Sequence, residues 1–188
     1  GRLGAKKYVD SGRMEPLQLG VLAGLTPPWI DVKLYDDRME DIPFDEPTDL
    51  VALTVETFTA KRAYEIAEQY HRRGVTVVMG GMHATLIPDE VAKYADVVVT
   101  GDAEFVWGQI VDDAAAENLS KRYDGKITGA PQGEIHTRRD LFQGKGYLPI
   151  TLLQYSRGCP YSCNYCATSV FFKKTHRFRD VGEVVEEI

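Results

Sequence analysis

Residues 49–85 read DLVALTVETFTAKRAYEIAEQYHRRGVTVVMGGMHAT, and this stretch decides the fold. It holds two short runs, 49–55 and 75–79, rich in Val and Leu and too continuous to alternate between core and solvent. Such runs form strands buried on both faces. Between them, 59–73 spaces Ala60, Ala63, Ala67 and Tyr70 as one apolar stripe, and Gly74 ends the helix. Strand, helix, strand is a βαβ unit, whose right-handed crossover makes a parallel pair.

The same pattern extends in both directions. Residues 96–100 (DVVVT) repeat the strand signal, and 103–119 read as a helix with Phe105, Val106, Ile110 and Ala114 inward. Before the quoted stretch, 31–35 (DVKLY) reads as a further strand. Residues 16–25 (PLQLGVLAGL) read as a short helix opened by Pro16, with Leu17, Val21, Leu22 and Leu25 on one face. The fold class is therefore α/β, a doubly wound parallel sheet. Ligands of such sheets sit beyond the carboxyl ends of the strands, here 54–59, 80–85 and 101–104. Gly80 and Gly81 let backbone approach a large planar ligand, or merely close a tight turn. Thr54, Thr57 and Thr59 offer hydroxyls to a ligand or to a helix start, with Thr54 the stronger candidate for a ligand. His83 and Thr85 follow the glycines, and a lone loop histidine reads as a hydrogen-bonded residue rather than a metal ligand. No G-x-G-x-x-G follows a strand and there is no phosphate loop, which argues against a nucleotide binder.

The 188 residues carry a net charge of -6, with 44% hydrophobic and 27% charged residues, the profile of a folded globular chain with little attraction for nucleic acid. No stretch approaches the roughly 20 apolar residues that cross a bilayer, and no secretory signal is visible, so a cytoplasmic location is expected. From 121 to 149 the chain is polar and Gly-rich, reading as a linker between a first domain at 1–120 and a second unit at 150–188. That unit opens with 150–155 (ITLLQY), which reads as a strand. It closes with a helix begun by Asp180 and Glu183, spaced as a capping box, whose apolar face is Val181, Val184, Val185 and Ile188.

Just after the expected strand stands 156–166, SRGCPYSCNYC. Its three cysteines, Cys159, Cys163 and Cys166, form a C-x3-C-x2-C cluster on a loop and are the only cysteines in the chain. An odd number so crowded reads as metal ligation. Three thiolates suit three irons of a 4Fe-4S cluster and leave the fourth iron open. The alternative is structural zinc with His176 as fourth ligand.

This spacing, with Tyr165 just before the last cysteine, resembles the signature of radical S-adenosylmethionine enzymes. The resemblance implies that Cys159, Cys163 and Cys166 hold the cluster, that S-adenosylmethionine chelates the open iron, and that its reductive cleavage yields a 5'-deoxyadenosyl radical. It also implies an electron donor such as flavodoxin or ferredoxin and a small-molecule substrate. The preceding domain resembles the cobalamin-binding domain found ahead of many such modules, through EPLQLGVLAGLTP, DLVALTVETFTA, VVMGGMHATLIPDE and VVVTGDAE in that order. By that resemblance Thr54, Thr57, Gly80, Gly81, His83, Thr85, Gly101 and Glu104 lie against cobalamin. The sequence departs from the base-off motif Asp-x-His-x-x-Gly, having Asp36-Asp37-Arg38-Met39-Glu40-Asp41, so no histidine is offered to cobalt. It also departs from the Gly-Glu-rich turn, where it reads GDAE. The run HRFR (176–179) resembles the matching stretch of cobalamin-dependent relatives, and equally fits solvated surface charge. The implied reaction is methyl transfer to an unactivated carbon. The rest of the implied (βα) barrel is not in these residues, so the chain is expected to be an inactive fragment. A non-catalytic cobalamin- or zinc-binding module is the alternative.

Overall fold

The computed structural model describes residues 13–125 and 136–188. Four parallel strands, β1 (Leu50–Thr54), β2 (Thr76–Gly80), β3 (Val97–Gly101) and β4 (Arg122–Gly125), lie side by side in chain order. The sheet sorts its side chains by alternation. Val77, Met79 and Val98 enter a cluster with α2 (Ala60–His71), α3 (Met82–Leu86) and α4 (Pro88–Val91), while Val78, Val97 and Val99 enter another with α5 (Trp107–Ala115). Helix α1 (Leu17–Leu25) adds Leu22 and Leu25 to that second cluster. Both faces of the sheet are thus covered, as a parallel sheet requires. Helix α2 buries Ala60, Ala63, Ala67 and Tyr70 as expected, together with Ile66, and the turn that follows it closes at Gly74 with φ +74°.

Three expectations need correction. Residues 31–35 do not form a strand, since no strand among the described residues pairs with them; Leu34 is buried, while Lys33 and Tyr35 both bond the Glu46 carboxylate. The expected helix 103–119 is broken into a short 3-10 turn (Ala103–Phe105) and α5. Phe105 is consequently 53% exposed and Trp107 takes the inward place; its indole N–H donates to Thr26 Oγ1 at 2.8 Å, fastening α5 to the end of α1. Residues 150–155 are likewise not a strand. Two of their carbonyls accept from arginine side chains, Leu152 O from Arg139 Nη2 at 2.9 Å and Gln154 O from Arg179 Nη1 at 3.2 Å, while Tyr155 O accepts from the backbone N–H of Arg179 at 2.9 Å.

The span 121–149, read as a linker, contains β4 and a 3-10 turn at Arg139–Phe142. Phe142 is buried, and Arg138 N donates to Gly20 O, so this stretch runs along α1. Beyond it, β5 (Ser156–Gly158) and β6 (His176–Phe178) form an antiparallel ribbon, with α6 (Ala167–Phe171) between them and α7 (Val181–Glu187) after. Asp180 caps α7 by accepting from Gly182 N and Glu183 N, as its spacing predicts. Of the expected apolar face only Val184 is buried.

Gly81 shows why the turn after β2 needs glycine. Its φ is +102°, and a Cβ there would stand 2.8 Å from Val55 O and 2.9 Å from Val55 N. Gly81→Ala is expected to lower unfolding free energy in urea by about 2 kcal/mol or more, from strain and overlap together. Gly108→Ala, in helix α5 with open space around it, is expected to raise it by about 0.5–1 kcal/mol. Equal effects of the two would contradict this assignment.

Candidate functional site

The carboxyl ends of β1, β2 and β3 gather most of the residues picked out by sequence. Thr54 ends β1, Gly80 ends β2 and Gly101 ends β3. His83 is 4% exposed, with Nε2 3.1 Å from Tyr64 Oη and Nδ1 3.2 Å from Thr57 Oγ1. Tyr64 Oη donates its one hydrogen to Glu90 Oε1 at 3.0 Å, so Nε2 is the donor to Tyr64, and Nδ1 is engaged by the Thr57 hydroxyl. Burial, with the bond to Glu90, pushes the Tyr64 phenol up to about 12, which keeps that hydrogen in place. Neither ring nitrogen is left for a metal. Thr85 Oγ1 donates to Gly81 O at 2.9 Å and accepts from Gly101 N at 2.9 Å, tying the β2 and β3 turns together. Among the described residues Thr54 Oγ1 has no such partner, and Phe58, in the loop after β1, is 89% exposed.

Gly101 has a packing role of its own. Its φ is +72°, and a Cβ would overlap Gly125 O at 1.6 Å; the close approach allows Asp102 N to donate to Gly125 O at 2.7 Å. The turn so fixed carries Asp102 and Glu104 to Arg157, two residues ahead of Cys159. Arg157 Nη2 donates to Glu104 Oε1 at 2.7 Å and Nη1 lies 3.2 Å from Asp102 Oδ1. Burial works against the Arg157 charge, yet Glu104 and Asp102 outweigh it and hold the guanidinium above its ordinary value. Burial also raises the Asp102 carboxyl, with Arg157 pulling the other way. Sequence reasoning missed Arg157 and Asp102. An arginine before a cysteine motif carries no local signal of a carboxylate partner 53 positions away.

Cys159 and Cys166 are partly exposed and Cys163 is exposed, all with free thiols. The Thr168 hydroxyl, with the N–H groups of Ser169 and Thr168, draws the Cys166 thiol below its ordinary value and so toward the ligating thiolate. Among the described residues no three His, Cys, Asp or Glu side chains stand as a metal-holding group. The donor set nevertheless fits an iron-sulfur cluster, since soft thiolates are what such clusters take. His176 is in register opposite Gly158, the residue before Cys159. A cleft of about 120 Å³ beside Arg157 is lined by Leu17, Val21, Glu104 and Arg179, among others. It is far below the ~300–1,000 Å³ that encloses a drug-sized ligand.

No family model matches the chain. Similarity to named proteins is nonetheless extensive. Over 184 residues, 91% of the chain, it is 38% identical to the bacteriochlorophyllide d C-8(2)-methyltransferase of Chlorobaculum tepidum, of which it covers 40%. It is 30% identical over 96% of its length to the bacteriochlorophyllide d C-12(1)-methyltransferase of the same organism, covering 41% of it. It is 26% identical over 95% of its length to the anaerobic magnesium-protoporphyrin IX monomethyl ester cyclase of Rubrivivax gelatinosus, covering 39%. The chain thus spans about two fifths of these curated relatives. Among the described residues no helix is long and apolar enough to cross a membrane.

Where the base-off motif would put its histidine, the structure has an ion-pair turn. Arg38 forks onto Asp36, through Nη2 to Oδ2 at 2.7 Å and Nε to Oδ1 at 2.9 Å, and Tyr147 Oη donates to Asp36 Oδ2 at 2.9 Å. Burial opposes ionisation of Asp36, but the bonds from Arg38 and Tyr147 prevail and its carboxyl sits below the ordinary 3.8. A depressed folded pKa stabilises above the unfolded value and is lost as pH falls through the folded one. Asp36→Asn should therefore cost about 1–2 kcal/mol in urea at pH 7, with the half-exposed Arg38 partly screened. The deficit should shrink below pH 3.8, and a deficit independent of pH would contradict the pairing.

Proposed function

We propose that this chain carries the cofactor-handling part of a radical S-adenosylmethionine enzyme that methylates an unactivated carbon of a tetrapyrrole. A 4Fe-4S cluster sits on Cys159, Cys163 and Cys166, and cobalamin lies against the carboxyl edge of the sheet. The observation that carries this reading is the pairing, in one chain, of the C-x3-C-x2-C loop with 38% identity to a bacteriochlorophyllide methyltransferase over 91% of its length. When bound, these cofactors supply the one-electron chemistry and the methyl group. The protein's part is to bind and orient them.

Cys166 offers a thiol already drawn toward thiolate. Thr54 presents a hydroxyl that no described protein group occupies, and Gly80 and Gly81 present backbone without side chains. Exposed Phe58 and Phe105 offer apolar surface to a macrocycle. The hydrogen bonds of His83 leave cobalt without a protein imidazole, in keeping with Asp36–Asp41. Reduction calls for an external donor such as flavodoxin or ferredoxin. A second reading, structural zinc bound by the three cysteines and His176, draws support from the register of His176 opposite Gly158.

Anaerobic reconstitution with iron and sulfide, metal analysis and electron paramagnetic resonance separate the two. About four irons per chain and a reduced spectrum that changes on adding S-adenosylmethionine are expected, with Cys163→Ala losing both. Tightly held zinc, lost on His176→Ala, with no iron signal, would sink the radical-enzyme reading.

A further inference from the structure

Glu104 and Asp102 stand in the turn after β3, where the sheet would meet a ligand, yet their carboxylates face Arg157 at 2.7 and 3.2 Å. All three groups are largely withdrawn from water, with side-chain exposures of 14%, 5% and 13%. Arg157 is further held by Gln154 Oε1, at 2.6 Å from Nη2 and 3.2 Å from Nε. Its fork of donors is thereby matched to three acceptors at once, which a point charge could not do. The carboxylate side of this contact is rigid, since the Gly101–Gly125 approach fixes the Asp102 backbone. The arginine side is in β5, and two residues further along the chain is Cys159. Arg157 is also in register with Arg177 across the ribbon.

We propose that Asp102 and Glu104 are the seat, and Arg157 the positioning residue, through which the sheet sets the place of the cysteine loop. On this assignment Glu104 acts on the cluster loop and not on cobalamin. The inference rests on the reading of Cys159, Cys163 and Cys166 as cluster ligands for its meaning, but the contact can be tested without iron.

Arg157→Lys keeps the charge and loses the fork; Glu104→Gln keeps an acceptor and loses the charge. Both are milder than deleting a buried partner, which leaves its mate uncompensated. Hydrogen exchange of the metal-free chain would be followed at the ribbon amides and at Cys166 and Ser169, whose N–H groups bond Cys163 O and Cys166 O. In both variants those amides are expected to exchange about tenfold faster while β1–β3 stays as in the unsubstituted chain. Unchanged ribbon and loop amides, or equal acceleration throughout β1–β3, would overturn the proposal, the second because it marks a merely structural ion pair. Iron reconstitution run in parallel should give the variants less iron per chain and a broadened reduced spectrum. Should the unsubstituted chain take up no iron, the cluster reading fails, and the exchange result still decides the strut.

Discussion

The constraint on which everything else depends is that β2 and β3 are apolar on both faces. Val77 and Met79 face one cluster while Val78 faces the other, and Val98 is flanked by Val97 and Val99 in the same alternation. A parallel strand with no wet face leaves no place along its length for polar chemistry. Polar groups are therefore driven to the ends, and the carboxyl ends carry the glycine turns, the threonines and the acidic pair. Helices on both faces follow from the same demand, since each apolar side must be covered.

Much of this was legible in sequence. The strands at 49–55, 75–79 and 96–100, the stripe of α2 and the cap of α7 follow from local pattern, and local pattern is what a sequence displays. What failed had a shared cause. Residues 31–35 and 150–155 have the composition of strands, but a strand exists only by a ladder with a neighbour, and each finds other partners: Glu46 for one, the guanidiniums of Arg139 and Arg179 for the other. Phe105 and Trp107 exchanged roles because a 3-10 turn changes the phase of the helix that follows.

The candidate site divides along the same line. The cysteines stand out in the sequence because their spacing is local. The threonines and His83 were found by position, yet their bonds could only be seen folded. Thr57, His83, Tyr64 and Glu90 form one chain of hydrogen bonds, centred on the buried His83 ring, from the loop after β1 to α4. Such a chain rigidifies when every member is satisfied, and it stiffens the loop that bears the exposed Phe58. Residues that look like ligand contacts can thus serve the shape of the face instead.

Arg157 in register with Arg177 across the ribbon has a consequence for what holds the ribbon in place. Taken alone, β5 and β6 are a ribbon of three residue pairs with an arginine opposite an arginine at its centre, and a two-stranded pairing so short is marginal in water. The carboxylates that hold Arg157 come from a turn more than fifty positions earlier, itself fixed by the bond from Asp102 N to Gly125 O at the ends of β3 and β4. A ribbon so anchored takes its support from the sheet, and its order is tied to that of the strands that precede it.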